Sequence, residues 1–226
     1  MHRDYPSRRV PECTTRPADP QTRPTSKHQA APSASAEELL PVFLKVGGCK
    51  VVVVGGGRVA ATKVRSLLRA GARITVVAPE VSKELRHAPV KVAQTRFRAE
   101  HLHGAWLVVA AATREVNRQV RDAADRYGVF VNVVDDAERA TAYLGGVVRR
   151  GDVTLAVSTG GAAPALAALL REALESLLTE DIMRWGEIAR RQRLRWREEQ
   201  VPWSARRPLL LEALQRLYRC PEGVNP

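Results

Sequence analysis

Three consecutive glycines, Gly55-Gly56-Gly57, follow the β-branched run Val51–Val54 and lead into Arg58-Val59-Ala60. A strand that turns sharply into a helix beside a pyrophosphate needs this spacing. Gly55 permits the tight turn, Gly57 lets the backbone approach the phosphates, and the small Ala60 allows helix and strand to pack closely. The start of the helix offers unpaired N–H groups and a positive dipole end to the anion. A purely structural turn is the competing use. Glu80 follows Ala60 by about 20 residues, near the spacing of an acid that reaches an adenosine ribose. Because Pro79 precedes it, Glu80 equally suits a favourable charge at the start of the next helix. No basic residue stands in that turn to claim a 2′-phosphate, which favours NAD over NADP.

Further along, Ala111-Ala112-Thr113 closes an apolar run with small residues that would admit a cofactor backbone; Thr113 also fits a plain helix cap. Asn132-Val133-Val134-Asp135-Asp136 ends another strand. A carboxylate there, Asp135, could serve as general base or hold a metal or a ring N–H, or it could simply be a turn residue. Ser158-Thr159-Gly160-Gly161-Ala162-Ala163-Pro164 is a second glycine turn before a helix. It fits a carboxylate or phosphate cradle and an ordinary N-cap about equally. His101 and His103 have the wrong spacing and no neighbouring ligands for a metal pair, so no resident metal is expected. Trp185, Trp196 and Trp203 lie among arginines, where packing between helices or across a dimer is the favoured use and nucleic acid is not expected.

The elements that must position these residues alternate. Val51–Val54 reads as a strand buried on both faces. A helix follows with an apolar stripe of Val59, Lys63, Val64, Leu67 and Leu68, stopped by Gly71. Strands are expected at Arg73–Ala78, Val90–Thr95, Ala105–Ala111 and Val129–Val134, with a helix over Glu115–Tyr127 ending at Gly128. This rhythm predicts an α/β fold with a doubly wound, Rossmann-like parallel sheet over residues 37–141. The pattern then changes. Ala142–Val148 and Asp152–Ser158 read as a hairpin turning at Arg149-Arg150-Gly151, followed by a helix from Pro164 to Leu178. Residues 142–178 form a small αβ unit, and helices over Asp181–Gln200 and Ala205–Arg219 form a helical C-terminal unit, 179–226. Residues 1–36, rich in Pro, Ser, Thr and Arg without periodicity, read as a disordered extension.

Composition bounds the rest. The chain has 226 residues, enough for one good core and an appendage. Its net charge of +12 is concentrated partly in Arg184–Arg207, a balance suited to a polyanionic substrate or to a solvated face. No stretch reaches the roughly 20 apolar residues of a membrane helix, and no signal peptide is evident. Cys13, Cys49 and Cys220 are odd in number and far apart, which indicates neither a disulfide framework nor a zinc site and suits a reducing cytoplasm.

Taken in order, VVVVGGGRVAATKVRSLLRAGARITVVAPE, WLVVAAATREVNRQV, VFVNVVDD and LAVSTGGAAPALAALLREALESLL resemble the precorrin-2 dehydrogenase family, the amino-terminal module of siroheme synthase and its stand-alone relatives. The resemblance runs from Leu40 to about Arg197. It implies NAD-dependent oxidation of precorrin-2 to sirohydrochlorin. In some members it also implies insertion of Fe²⁺, a ferrochelatase activity. On this likeness Asp135 is the key catalytic residue, and the metal-facing one if chelation occurs. Gly55, Gly57, Arg58, Val59, Pro79, Glu80 and Thr113 hold the cofactor, while Ser158, Thr159 and Gly160 line the substrate cleft. The likeness also implies a homodimer interlocked through residues 142–178, a polycarboxylate tetrapyrrole as substrate, and a stand-alone form without the methyltransferase half. Two departures stand out: Tyr143-Leu144-Gly145-Gly146 replaces a Phe-x-x-Pro-like stretch, and Ala163 replaces a serine. The alternative is a non-catalytic NAD-sensing module acting through its helical tail. A short-chain reductase would need a Tyr-x-x-x-Lys pair that the sequence lacks.

Overall fold

The structure, a computed structural model, describes residues 38–134 and 136–218. The expected disordered extension at 1–36 and the residue Asp135 lie outside these. The chain divides into two compact units, residues 1–144 and 145–226.

In the first unit, β1 (Lys50–Val54), β2 (Arg73–Val77), β3 (Lys91–Ala93), β4 (Leu107–Ala110) and β5 (Phe130–Val133) form one sheet in the order β3-β2-β1-β4-β5. Every pair is parallel. The order reverses between β1 and β4, so a crevice opens there at the carboxyl ends of the strands, the place where such sheets bind ligands. Three helices connect the strands: α1 (Arg58–Arg69), α2 (Lys83–His87) and α3 (Arg114–Tyr127).

The valine run explains why β1 is central. Val51 and Val53 pack with Ala60, Ala61, Val64, Leu67 and Val109 on the α1 side. Val52 and Val54 pack with Val108, Val120, Ala124 and Val131 on the α3 side. All four valines are at most 2% exposed, so the strand is apolar throughout because both of its faces are core. Truncating one of them to alanine would cost about 2–4 kcal/mol.

The face of α1 differs from the expected stripe. Ala60, Ala61, Val64 and Leu67 are its buried residues, whereas Val59 is 48% exposed at the carboxyl edge of the sheet. Small alanines do the packing because helix and strand approach closely. β3 is also shorter than expected, at three residues on the edge of the sheet. Gly128 takes the left-handed conformation (φ 62°) and ends α3 as expected.

The second unit contains the antiparallel hairpin β6 (Gly146–Arg150) and β7 (Val153–Val157), then α4 (Pro164–Leu177), α5 (Asp181–Glu198) and α6 (Trp203–Gln215). Its turn is Gly151-Asp152, not Arg149-Arg150-Gly151, because Arg150 still pairs with Val153. Gly145 is required at the start of the hairpin, since a Cβ there would overlap the carbonyl of Val157. Trp196 is buried, as expected for a packing residue, and Trp185 donates its Nε1–H to Tyr218 Oη at 2.9 Å. Trp203 is 84% exposed in the single chain, with the Arg206 guanidinium over its ring. Cys49 is buried. Among the described residues no helix is long and apolar enough to cross a membrane.

Candidate functional site at the carboxyl edge of the sheet

The glycine turn threads between two loops. Gly55 has φ 128°, a conformation closed to other residues, and a Cβ on it would overlap the backbone of Ala111. Its N–H donates to Val77 O at 3.0 Å, tying β1 to β2. On the other side a Cβ on Gly56 would overlap the carbonyl of Glu80, and Ser82 N–H donates to Gly56 O at 2.8 Å. Gly57 is different. A Cβ there would meet nothing within 4 Å, so its side of the turn faces open space.

The three helices start in different ways. Ser82 caps α2 by accepting from Leu85 N–H, with Glu84 in the first turn. Thr113 caps α3 by accepting from Val116 N–H, with Glu115 in the first turn. α1 begins at Gly57 with no side-chain cap and no acidic residue in its first turn. Its free N–H groups and dipole therefore lie open to an outside anion beside a glycine that leaves room for one. These residues fit a dinucleotide pyrophosphate.

Gly55, Gly57, Arg58, Val59, Pro79 and Glu80 thus gather at one edge, and all but the buried Gly55 are exposed. Glu80 does not begin α2; Ser82 takes that role. Thr113 lies at the end of β4 and spends its hydroxyl on the cap. Ser158, Thr159 and Gly160 belong to the second unit. There Ser158 Oγ accepts from Gly160 N–H and Thr159 Oγ1 accepts from Ala163 N–H, both at 3.2 Å, so both hydroxyls shape the turn before α4.

A cleft of about 680 Å³ opens beyond β4 and β5, lined by Ala112, Arg114, Asn117, Val133, Val134 and the segment Asp136–Arg139. It begins next to Ala111, the residue Gly55 touches. Asn117, 7% exposed, accepts from Ala112 N–H through Oδ1 at 3.0 Å and so fixes the loop between β4 and α3. Asn132, equally buried, donates from Nδ2 to Ala142 O at 2.9 Å and holds the chain that returns along β5. Sequence reasoning missed both residues, although a polar residue inside the apolar VFVNVV strand was a signal. Asp136 lines the cleft, with Oδ2 3.5 Å from Arg139 Nε.

His101 is committed elsewhere: its Nδ1 faces the backbone N–H of Arg98 at 2.9 Å. No group of three potential metal ligands occurs among the described residues.

Comparison with known proteins places these features. Residues 42–146 match a family model described as putative NAD(P)-binding, and residues 150–177 match the sirohaem biosynthesis protein central model. Siroheme synthase 1 of Aeromonas salmonicida is 43% identical over 150 residues, covering 64% of this chain and 32% of that protein. The siroheme synthase of Nitrosomonas europaea is 41% identical over 176 residues, 75% of this chain and 37% of its own length. The chain therefore spans about a third of the length of these curated relatives. The solved structure of SirC, precorrin-2 dehydrogenase, matches with a TM-score of 0.61 and 27% identity, covering 77% of this chain and 88% of that one. Residues 42–146, which contain the glycine turn, accordingly form an NAD(P)-binding domain. The chain belongs to the family of precorrin-2 dehydrogenases and siroheme synthase amino-terminal modules.

Proposed function

We propose that this chain oxidises precorrin-2 to sirohydrochlorin with NAD. The observation that carries the reading is the position of the cleft. It lies at the carboxyl ends of β4 and β5, adjoining the loop that Gly55 touches, so a substrate held there borders the bound dinucleotide. When bound, NAD supplies the hydride acceptor. Gly57 and the first turn of α1 hold its pyrophosphate, Glu80 the adenosine ribose, and Arg58, Val59, Pro79 and Thr113 its flanks. Dehydrogenation removes one hydride and one proton from the substrate. We assign the proton to the carboxylate of Asp135, which follows Val134 of the cleft wall in sequence. Arg114 and Arg139 supply positive charge to a polycarboxylate macrocycle; Ser158, Thr159 and Gly160 of the second unit are assigned to the substrate on the family likeness alone.

The active form is a homodimer in this reading. Leu166, Leu169, Leu170 and Leu177 of α4 are 43–73% exposed and Ala167 is its one buried residue, a face suited to a second copy. Leu169→Glu is expected to leave a monomer in sedimentation. The dependence on NAD, a cofactor kept inside cells, favours a cytoplasmic setting.

The deciding experiment supplies precorrin-2 and NAD to the chain and follows NADH and sirohydrochlorin together. Equal amounts of the two products support the proposal; NAD binding without turnover favours a sensor. Repeating it with sirohydrochlorin and Fe²⁺ tests whether iron is also a substrate of the same site.

A further inference from the structure

We infer that Tyr143 is a positioning residue for the reaction in this cleft, an inference that rests on the dehydrogenase reading above. The chain leaves β5 after Val133 and returns beside it. The N–H groups of Thr141 and Ala142 both donate to Val131 O, at 2.8 and 3.0 Å, and Val131 N–H donates to Thr141 Oγ1 at 2.9 Å. Asn132 Nδ2 donates to Ala142 O, so the base of the excursion is fastened four times. Its tip is not. Residues Ala137–Arg139 form a single 3₁₀ turn and, with Asp136, line the cleft. Among the described residues, one hydrogen bond joins that tip to the returning segment Thr141–Leu144: Tyr143 Oη donates to Ala137 O at 2.9 Å.

The balance of effects follows from where the bond sits. Ala137 is only half-buried, so water can replace the lost donor on its carbonyl and the fold loses little. The cleft wall, however, loses the tie that fixes Asp136 and its neighbours relative to β5. Reaction geometry is more sensitive than stability to such a loosening, because a misplacement of about 1 Å can cost up to a hundredfold in rate.

The test compares full-length wild type with Tyr143→Phe, which removes the hydroxyl alone. Hydrogen exchange of the 136–140 amides, NAD affinity, kcat and the KM for precorrin-2 are read together. The expected result is faster exchange confined to that segment and a kcat about tenfold lower. NAD affinity and KM stay within about twofold and the melting temperature within about 3 °C. Unchanged exchange, or faster exchange with an unchanged kcat, overturns the inference. So does a fall in NAD affinity that tracks a lower melting temperature, which marks a purely structural role. Wild type without turnover removes the dehydrogenase reading and this inference with it. Wild type that turns over, matched by Tyr143→Phe, removes the inference alone.

Discussion

Gly56 lies against the backbone of Glu80 so closely that no side chain fits between them, and Ser82 N–H closes the contact on Gly56 O at 2.8 Å. The middle glycine of the turn thus serves the fold, locking the end of β1 to the loop after β2. Gly57, one residue on, has open space where its Cβ would be. Adjacent glycines are required for different reasons.

That difference separates two substitutions. Gly56→Ala forces the Glu80 loop away and is expected to cost about 3 kcal/mol or more, seen as loss of the cooperative melting transition. Gly57→Ala costs about 1 kcal/mol or less, because alanine is only a poorer cap than glycine there. Its methyl group enters the space where the pyrophosphate approaches, so NAD affinity falls by about tenfold or more in a titration of the folded protein. Equal effects of the two on stability would contradict this division.

Asn117 offers a second separation. Asn117→Ala leaves the Ala112 N–H without its acceptor beside the cleft and is expected to cost about 1–3 kcal/mol in denaturant melts. Asn117→Asp keeps an acceptor at the same place and recovers most of that loss. If both variants were equally unstable, the bond to Ala112 would not be what holds the loop.

The strands, their parallel doubly wound arrangement and the glycine turn were legible in the sequence because they follow from local pattern: an all-valine run reads as a strand covered on both sides, and glycines between such a strand and a helix read as a turn. Gly56 was legible as a glycine but not as a contact, since Glu80 meets it through tertiary packing. Val59 falls in the apolar stripe by periodicity yet is 48% exposed, because periodicity sees hydrophobicity and not the sheet edge. Glu80 had two readings, and Ser82, a better cap two residues on, removed one of them. Tyr143 and Asn132 act on backbone atoms six and ten residues away across a reversal of the chain, a relation no spacing rule encodes.

Lys50, at the start of β1, has its pKa lowered by burial and then by the charge of Lys91. The folded chain therefore binds this proton less tightly than the unfolded chain, whose lysine keeps its ordinary value. Between the two values the unfolded state carries more protons, so stability from this group rises with pH. Relative to Lys50→Met, wild type is expected to gain stability as pH climbs toward 10.5, the ordinary value, in urea melts run across the alkaline range. A constant difference would show that burial imposes no cost on the charge.

The account turns on the Asp135 carboxylate acting as base while the dinucleotide is held separately, and Asp135→Asn tests it most directly. NAD affinity of the variant should match wild type within about twofold, while the rate of NADH formation from precorrin-2 falls by about a hundredfold or more, the scale of a lost general base. A variant that binds NAD and forms NADH at the wild-type rate would contradict the assignment.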